Sequence, residues 1–159
     1  MQLEFHTPLD AQVQRRLGID PIQPLAMADR VRFSELDALQ HVNNAVYMEW
    51  FERLRIRYTQ DWGISGYDGP DDPRIVIRSA QIHYRQEMRM DEDYVVTCCC
   101  TSFRRSSFTL AQQLWCKGEL RATFECVLVM LQQDASGKYP IPPQVKEKFI
   151  TIDGAVFEG

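Results

Sequence analysis

Apolar and polar positions change period several times along the chain, and each change marks an element. Leu9, Val13 and Leu17 recur four residues apart and predict a short helix over 7–18. Thr7 would cap it, Pro8 would take its first position and Gly18 would end it. Asp20-Pro-Ile-Gln-Pro24 opposes regular structure. Residues 1–24 therefore read as an N-terminal extension: a packed surface helix, or a segment that lies across a subunit or partly covers a pocket. The period then falls to two. Val31 and Phe33 alternate with Arg30, Arg32 and Ser34, predicting a strand over 25–34. Next, Tyr47, Trp50, Phe51, Leu54 and Tyr58 recur at three- and four-residue spacing. They predict a helix over 44–62, nearly 30 Å long at ~1.5 Å per residue. Its N-cap is Asn43 or Asn44, since an Asn side chain accepts from the free amides of a first turn. Glu49–Arg53 and Glu52–Arg55 are spaced to pair on its polar face, for ~0.3–0.5 kcal/mol each. Gly63, Gly66, Gly69, Pro70 and Pro73 punctuate the loop beyond, where Ile64 and Tyr67 are the large side chains able to close over a ligand.

From there strand follows strand: 74–86, 93–103, 108–116 and 119–132. Arg104–Ser107 turns the second of these into the third, and Lys117-Gly118 forms a two-residue hairpin turn into the last. In that last strand Leu120, Ala122, Phe124, Cys126, Leu128 and Met130 share one face, and Arg121, Thr123 and Glu125 the other. The second face turns apolar at Val127, Val129 and Leu131, as at a strand end buried on both sides. Pro142 and Pro143 open a short helix over 142–149. The pattern predicts one α+β domain in which an antiparallel sheet of about five strands wraps one long central helix, giving every strand a common apolar partner.

Composition narrows the function. The 159 residues suit a single domain, and 45% hydrophobic with 25% charged residues is ordinary for a soluble protein. A net charge of -4 argues against a nucleic-acid binder. The cations are 14 Arg and 4 Lys. Arg suits phosphates because its fork binds them bidentately, though codon usage explains the ratio equally well. MQLEFHTPLD has neither the basic nor the apolar region of a leader. No run approaches the ~18 apolar residues of a membrane span. Five Cys, three of them consecutive (Cys98, Cys99, Cys100), fit neither a disulfide framework nor a CxxC site. Neighbours in a strand point to opposite faces, so the triplet cannot converge on one metal. The cysteines read as small reduced hydrophobes in a cytoplasmic protein, and no cofactor or metal is expected.

Candidate chemistry sits between the first strand and the main helix. Asp37 and His41 stand just before a helix N-terminus, whose free N–H groups and positive pole suit binding or polarising an oxygen. Elsewhere, Gly63-Ile-Ser65-Gly66 is not a nucleophile elbow, and neither a Walker A nor an HExxH motif occurs. Two readings of Asp37 stay open: a turn residue that caps its own backbone, or a reacting carboxylate.

The stretch Asp37-Ala-Leu-Gln-His-Val-Asn-Asn44-Ala-Val-Tyr47, followed by Trp50-Phe51-Glu52, resembles the D-x-x-G-H-V-N-N-x-x-Y signature of hotdog-fold acyl-CoA thioesterases. The resemblance is to the 4-hydroxybenzoyl-CoA thioesterase type, in its long-chain acyl-CoA thioesterase-like branch. It runs from about Ala28 to Ile150, including Ile82-His83-Tyr84-Arg85 and Gly137-Lys-Tyr-Pro-Ile-Pro-Pro143, and implies a hotdog domain over 25–159. Family members usually carry Gly where Gln40 stands, and Pro and Gly-Asp where Glu87 and Asp91-Glu92 stand. A positive φ at 40 would strain Gln by ~1 kcal/mol.

The resemblance implies that Asp37 is catalytic, as nucleophile on the thioester carbonyl or as base for water. Thioesters are activated, so one carboxylate with one oxyanion donor suffices. The donor implied is the backbone N–H of Asn44. His41 orients water or Asp37, or only shapes the turn. Asn43 is structural or lines the pocket, and Tyr47 lines the acyl pocket or packs in the core. The expected substrate is an acyl-CoA or an acyl carrier protein thioester. The acyl site would lie between subunits of a homodimer or homotetramer. Two alternatives are an enoyl-thioester hydratase or dehydratase on the same fold, and a noncatalytic acyl-thioester-binding protein.

Overall fold

The structure, a computed structural model, describes residues 2–159. In chain order it contains α1 (Ala11–Arg16), β1 (Leu25–Arg30), a single 3-10 turn (Phe33–Glu35), α2 (Val46–Asp61), β2 (Arg74–Tyr84), β3 (Asp93–Phe103), β4 (Ser107–Cys116), β5 (Glu119–Leu131), α3 (Pro143–Thr151) and β6 (Val156–Phe157). The architecture is α+β. The sheet runs β1-β3-β4-β5-β2 with every pair antiparallel, and β6 adds a short parallel pairing on β3. Six strands thus stand where about five were expected; β6, two residues long, is too short for a periodic signal.

α2 is the longest helix at 16 residues, about 24 Å, shorter than the expected 44–62. All five positions of its apolar stripe, Tyr47, Trp50, Phe51, Leu54 and Tyr58, are buried. They meet the inward positions of the sheet, among them Val96, Leu110, Leu114, Phe124 and Leu128, in one core. Phe51 stacks on Phe124, and Trp50 on Tyr94. The polar face is more entangled than spacing suggests. Arg55 does reach Glu52 (3.9 Å), but it is itself buried and donates to Gln112. Arg53 turns to Asp29 and Glu35 rather than to Glu49.

The hairpin Lys117-Gly118 has φ of +53° and +74°, the paired left-handed geometry that matches strand twist. The expected helix over 7–18 is only Ala11–Arg16, and its cap is Asp10, which accepts from Val13 N–H. Thr7 and Pro8 do not join it because the preceding chain pairs with the sheet instead. His6 N–H donates to Ala28 O and Leu9 N–H to Ala26 O, covering the outer edge of β1. Gly18 ends α1 at φ +82°, where an added Cβ would come within 3.1 Å of Gly118.

β1 stops at Arg30, four residues short of expectation. Val31 is buried as the alternation implies, but Phe33 is largely exposed. The Glu35 carboxylate accepts from Arg32 N–H and turns the chain into the 3-10 turn, so the local cap overrides the alternating pattern. Ile64 is a core residue, while Tyr67 is exposed and its hydroxyl bonds Thr59.

Candidate active site

Between the 3-10 turn and α2 the chain folds back on itself. Leu36 and Val42 form an antiparallel bridge, and Asp37 N–H donates to His41 O at 2.8 Å. Inside this loop Asp37 Oδ1 accepts from Leu39 N–H (2.9 Å) and His41 N–H (3.4 Å). Those bonds are the turn-capping role open to an Asp. Asp37 Oδ2 accepts no hydrogen bond from the described residues, and the side chain is only partly buried. Gln40 closes the loop at φ +65°, the left-handed conformation that a Gly would adopt without strain. Gln40→Gly is therefore expected to leave stability unchanged or raise it by up to ~1 kcal/mol, read by chemical denaturation. A clear loss would contradict the strain.

Neither Asn takes the expected N-cap position: the N-cap of α2 is Ala45, which offers no side-chain cap, and Asn43 instead closes the turn before it. Its Oδ1 accepts from Ala45 N–H (2.9 Å) and its carbonyl from Val46 N–H (2.9 Å). Asn44 does something else. Its carbonyl accepts from the Tyr84 hydroxyl at 2.8 Å, while its N–H has no partner among the described residues. An unspent amide at a helix start is a ready oxyanion donor. Tyr47 is buried one turn further on, edge-on to Tyr84 with ring centroids 5.0 Å apart. Burial pushes its phenol up to about 12, so it stays protonated.

His41 points elsewhere than the sequence suggests. Its Nδ1 lies 3.4 Å from Glu87 Oε2, whereas its contact with Asp37 is through the backbone N–H. Val42 N–H donates to Met88 O, which docks the loop on residues 87–89. The Arg89 hydrogen bond to Glu87 (2.7 Å), with His41 beside it, holds the Glu87 carboxyl below its usual range against partial desolvation. Sequence reasoning missed both Glu87 and Tyr84 as site neighbours. The signals available were that Tyr84 lies in the Ile82–Arg85 stretch of the resemblance and that Glu87 stands where the resembling family has Pro.

Asp37, His41, Asn43, Asn44 and Tyr47 thus lie along one loop and the first turn of one helix. Together they offer a carboxylate oxygen, an imidazole paired to a second carboxylate, and a free amide. No group of three or more His, Cys, Asp or Glu among the described residues is arranged to hold a metal. All five cysteines are free thiols. Burial pushes Cys99 up to about 12, and Cys116 and Cys126 up to about 11. Protonated thiols are poor nucleophiles. Replacing each Cys in turn by Ala or Ser is expected to cost stability without selectively abolishing turnover; a well-folded, inactive Cys variant would contradict this.

Residues 31–149 match the model of the Thioesterase-like superfamily. The chain belongs to that superfamily, and its fold is the hotdog fold. Among solved structures it is similar to a thioesterase-superfamily protein from Jannaschia sp. CCS1, at 40% identity and a TM-score of 0.91, covering 96% of this chain and 97% of that one. A Thermus thermophilus thioesterase solved with coenzyme A and Zn is 29% identical, with a TM-score of 0.70 over 83% and 96% of the two chains. A Staphylococcus aureus protein solved with CoA shares the fold at 16% identity, with a TM-score of 0.76 over 82% and 84%. No curated protein gives a significant match. No helix of the described residues is long and apolar enough to cross a membrane.

Proposed function

We propose that the protein is an acyl-CoA thioesterase of the 4-hydroxybenzoyl-CoA thioesterase type, cleaving a thioester to free acid and CoA. The observation that carries this is that one loop offers both a half-engaged carboxylate, Asp37, and the unspent Asn44 N–H just before α2, in a chain of the Thioesterase-like superfamily. Asp37 attacks the thioester carbonyl or takes a proton from water. The Asn44 amide stabilises the oxyanion that forms. His41, held by Glu87, orients water at the carboxylate, and Asn43 and Tyr47 shape the binding surface. CoA bound to the Thermus thermophilus relative supports CoA as the carrier, with acyl carrier protein its alternative. The five free thiols support a cytoplasmic location.

The test is incubation with an α,β-unsaturated acyl-CoA. Hydrolysis predicts a rise in free thiol. Loss of the enoyl absorbance without thiol would assign a hydratase instead. The noncatalytic reading has its own support, since both bonds to Asp37 Oδ1 are those of a turn cap.

The sheet edges support the homodimer or homotetramer. The N-terminal segment covers β1, but β2 is exposed along most of its length, with Ile77 and Tyr84 partly bare. An open edge of eleven residues is a template for pairing with a second copy. Light scattering at micromolar concentration is expected to give at least twice the chain mass; a monomer would count against a site shared between subunits.

A further inference from the structure

Asn44 joins two peptide planes, and hydrogen bonds hold both. The first plane carries the Asn43 carbonyl and the free Asn44 N–H. Its carbonyl accepts from Val46 N–H at 2.9 Å. In a trans peptide the N–H points opposite the C=O, so the Asn44 N–H points away from α2. The second plane carries the Asn44 carbonyl and the Ala45 N–H. Ala45 N–H donates to Asn43 Oδ1, and Asn44 O accepts from the Tyr84 hydroxyl at 2.8 Å. Only φ and ψ of Asn44 turn one plane against the other. Holding both planes therefore holds the direction of the free N–H. The bonds made by Asn43 lie within the loop itself. Tyr84 is the contact that ties this peptide pair to the sheet.

Capture of the carbonyl also changes how α2 begins. A regular helical ladder gives Asn44 O the N–H of Met48, four residues on. Met48 N–H instead donates to Ala45 O, three residues back, at 3.2 Å. Asn44 O has no partner other than Tyr84 among the described residues. The 44–45 peptide thus stays outside the ladder.

Tyr84 itself is well anchored. It is the last residue of β2, in register with Ala122 of β5. Arg85 N–H and Gln86 N–H both donate to Arg121 O, at 2.8 and 3.2 Å. The buried Arg121 guanidinium turns back on the same segment and donates to Glu87 O at 2.8 Å. Partial desolvation raises the Tyr84 phenol above its ordinary range, so the hydroxyl is a donor at neutral pH.

We infer that Tyr84 is a positioning residue for the oxyanion donor: its hydroxyl, placed by the sheet, holds the Asn44 peptide so that the free N–H keeps one direction. That this N–H meets an oxyanion rests on the thioesterase reading; the hold on the peptide does not.

The test is Tyr84→Phe, which removes one oxygen and keeps the ring edge-on to Tyr47. Tyr84 is about half exposed and outside the core, so the fold does not depend on that oxygen. Three quantities are compared with the unmodified protein: kcat and KM for octanoyl-CoA and benzoyl-CoA, affinity for S-octyl-CoA, and the backbone amide NMR spectrum. S-octyl-CoA is a thioether with no carbonyl. The variant is expected to lose about 10–100-fold in kcat, less than the 10²–10³ for removing a donor outright. KM and S-octyl-CoA affinity are expected to stay within about twofold, since neither draws on the oxyanion. The Asn44 and Met48 amide signals are expected to move, because the freed carbonyl becomes open to Met48 N–H. An unmoved kcat overturns the proposal and leaves the thioesterase reading standing. A kcat loss matched by an equal loss of S-octyl-CoA affinity also overturns it, as general damage to the site. So do unmoved Asn44 and Met48 amides. Moved amides in a protein that cleaves neither ester uphold the hold on the peptide and count against the thioesterase reading.

Discussion

Asp37→Asn is expected to lower acyl-CoA turnover by about 10²–10⁴, the range for losing a positioned base or nucleophile. The amide can neither attack a carbonyl nor take a proton from water. It does keep an oxygen that can accept from the N–H groups of Leu39 and His41, which is all the turn asks of this side chain. Melting temperature and affinity for a non-hydrolysable acyl-CoA are therefore expected to stay near those of the parent. Were Asp37 only a turn cap, Asn would serve as well and activity would persist. Kinetics, melting and binding on one sample separate the two readings.

The second large effect is on stability. Asp153, just after α3, gathers three donors from distant parts of the chain. The Tyr58 hydroxyl and Cys100 N–H bond its Oδ2, and Trp62 Nε1–H bonds its Oδ1. Tyr58 and Cys100 are fully buried and Trp62 nearly so. The carboxylate thus pins the end of α2 and the middle of β3 to the C-terminal segment. Asp153→Ala leaves three buried donors without acceptors, at ~1–3 kcal/mol each before water partly replaces the carboxylate. A net loss of about 3 kcal/mol, roughly 6–12 °C in melting temperature, is expected. Asp153→Asn, which keeps an acceptor oxygen, is expected to lose less. A change below about 2 °C in the Ala variant would show that the clasp does not hold the fold.

Asp153 also shows where reading the chain in order stops working. The α2 stripe, β3 and the β4–β5 hairpin were legible because their signals are local: spacing along one face, alternation, and two turn residues. The turn before α2 was legible in the same way, and the candidate residues on it sit within eleven positions. A side chain whose partners lie 53, 91 and 95 residues away leaves no local mark. The same holds for Tyr84 on Asn44, 40 residues apart, and for Glu87 on His41. Local pattern misled where a competing local bond existed, as at the end of β1, where Glu35 turns the chain although the alternation runs on. The short α1 is the opposite case. Its four-residue spacing is real, but Leu9 is held by β1 instead.

The most direct test of the central claim is free-thiol release by the unmodified protein over a panel of acyl-CoAs, from acetyl to long-chain and aromatic. The account predicts enzyme-dependent release of CoA thiol in proportion to free acid for at least one class. Saturable acyl-CoA binding with no thiol released from any member would contradict it and leave Asp37 as a turn residue in a binding protein.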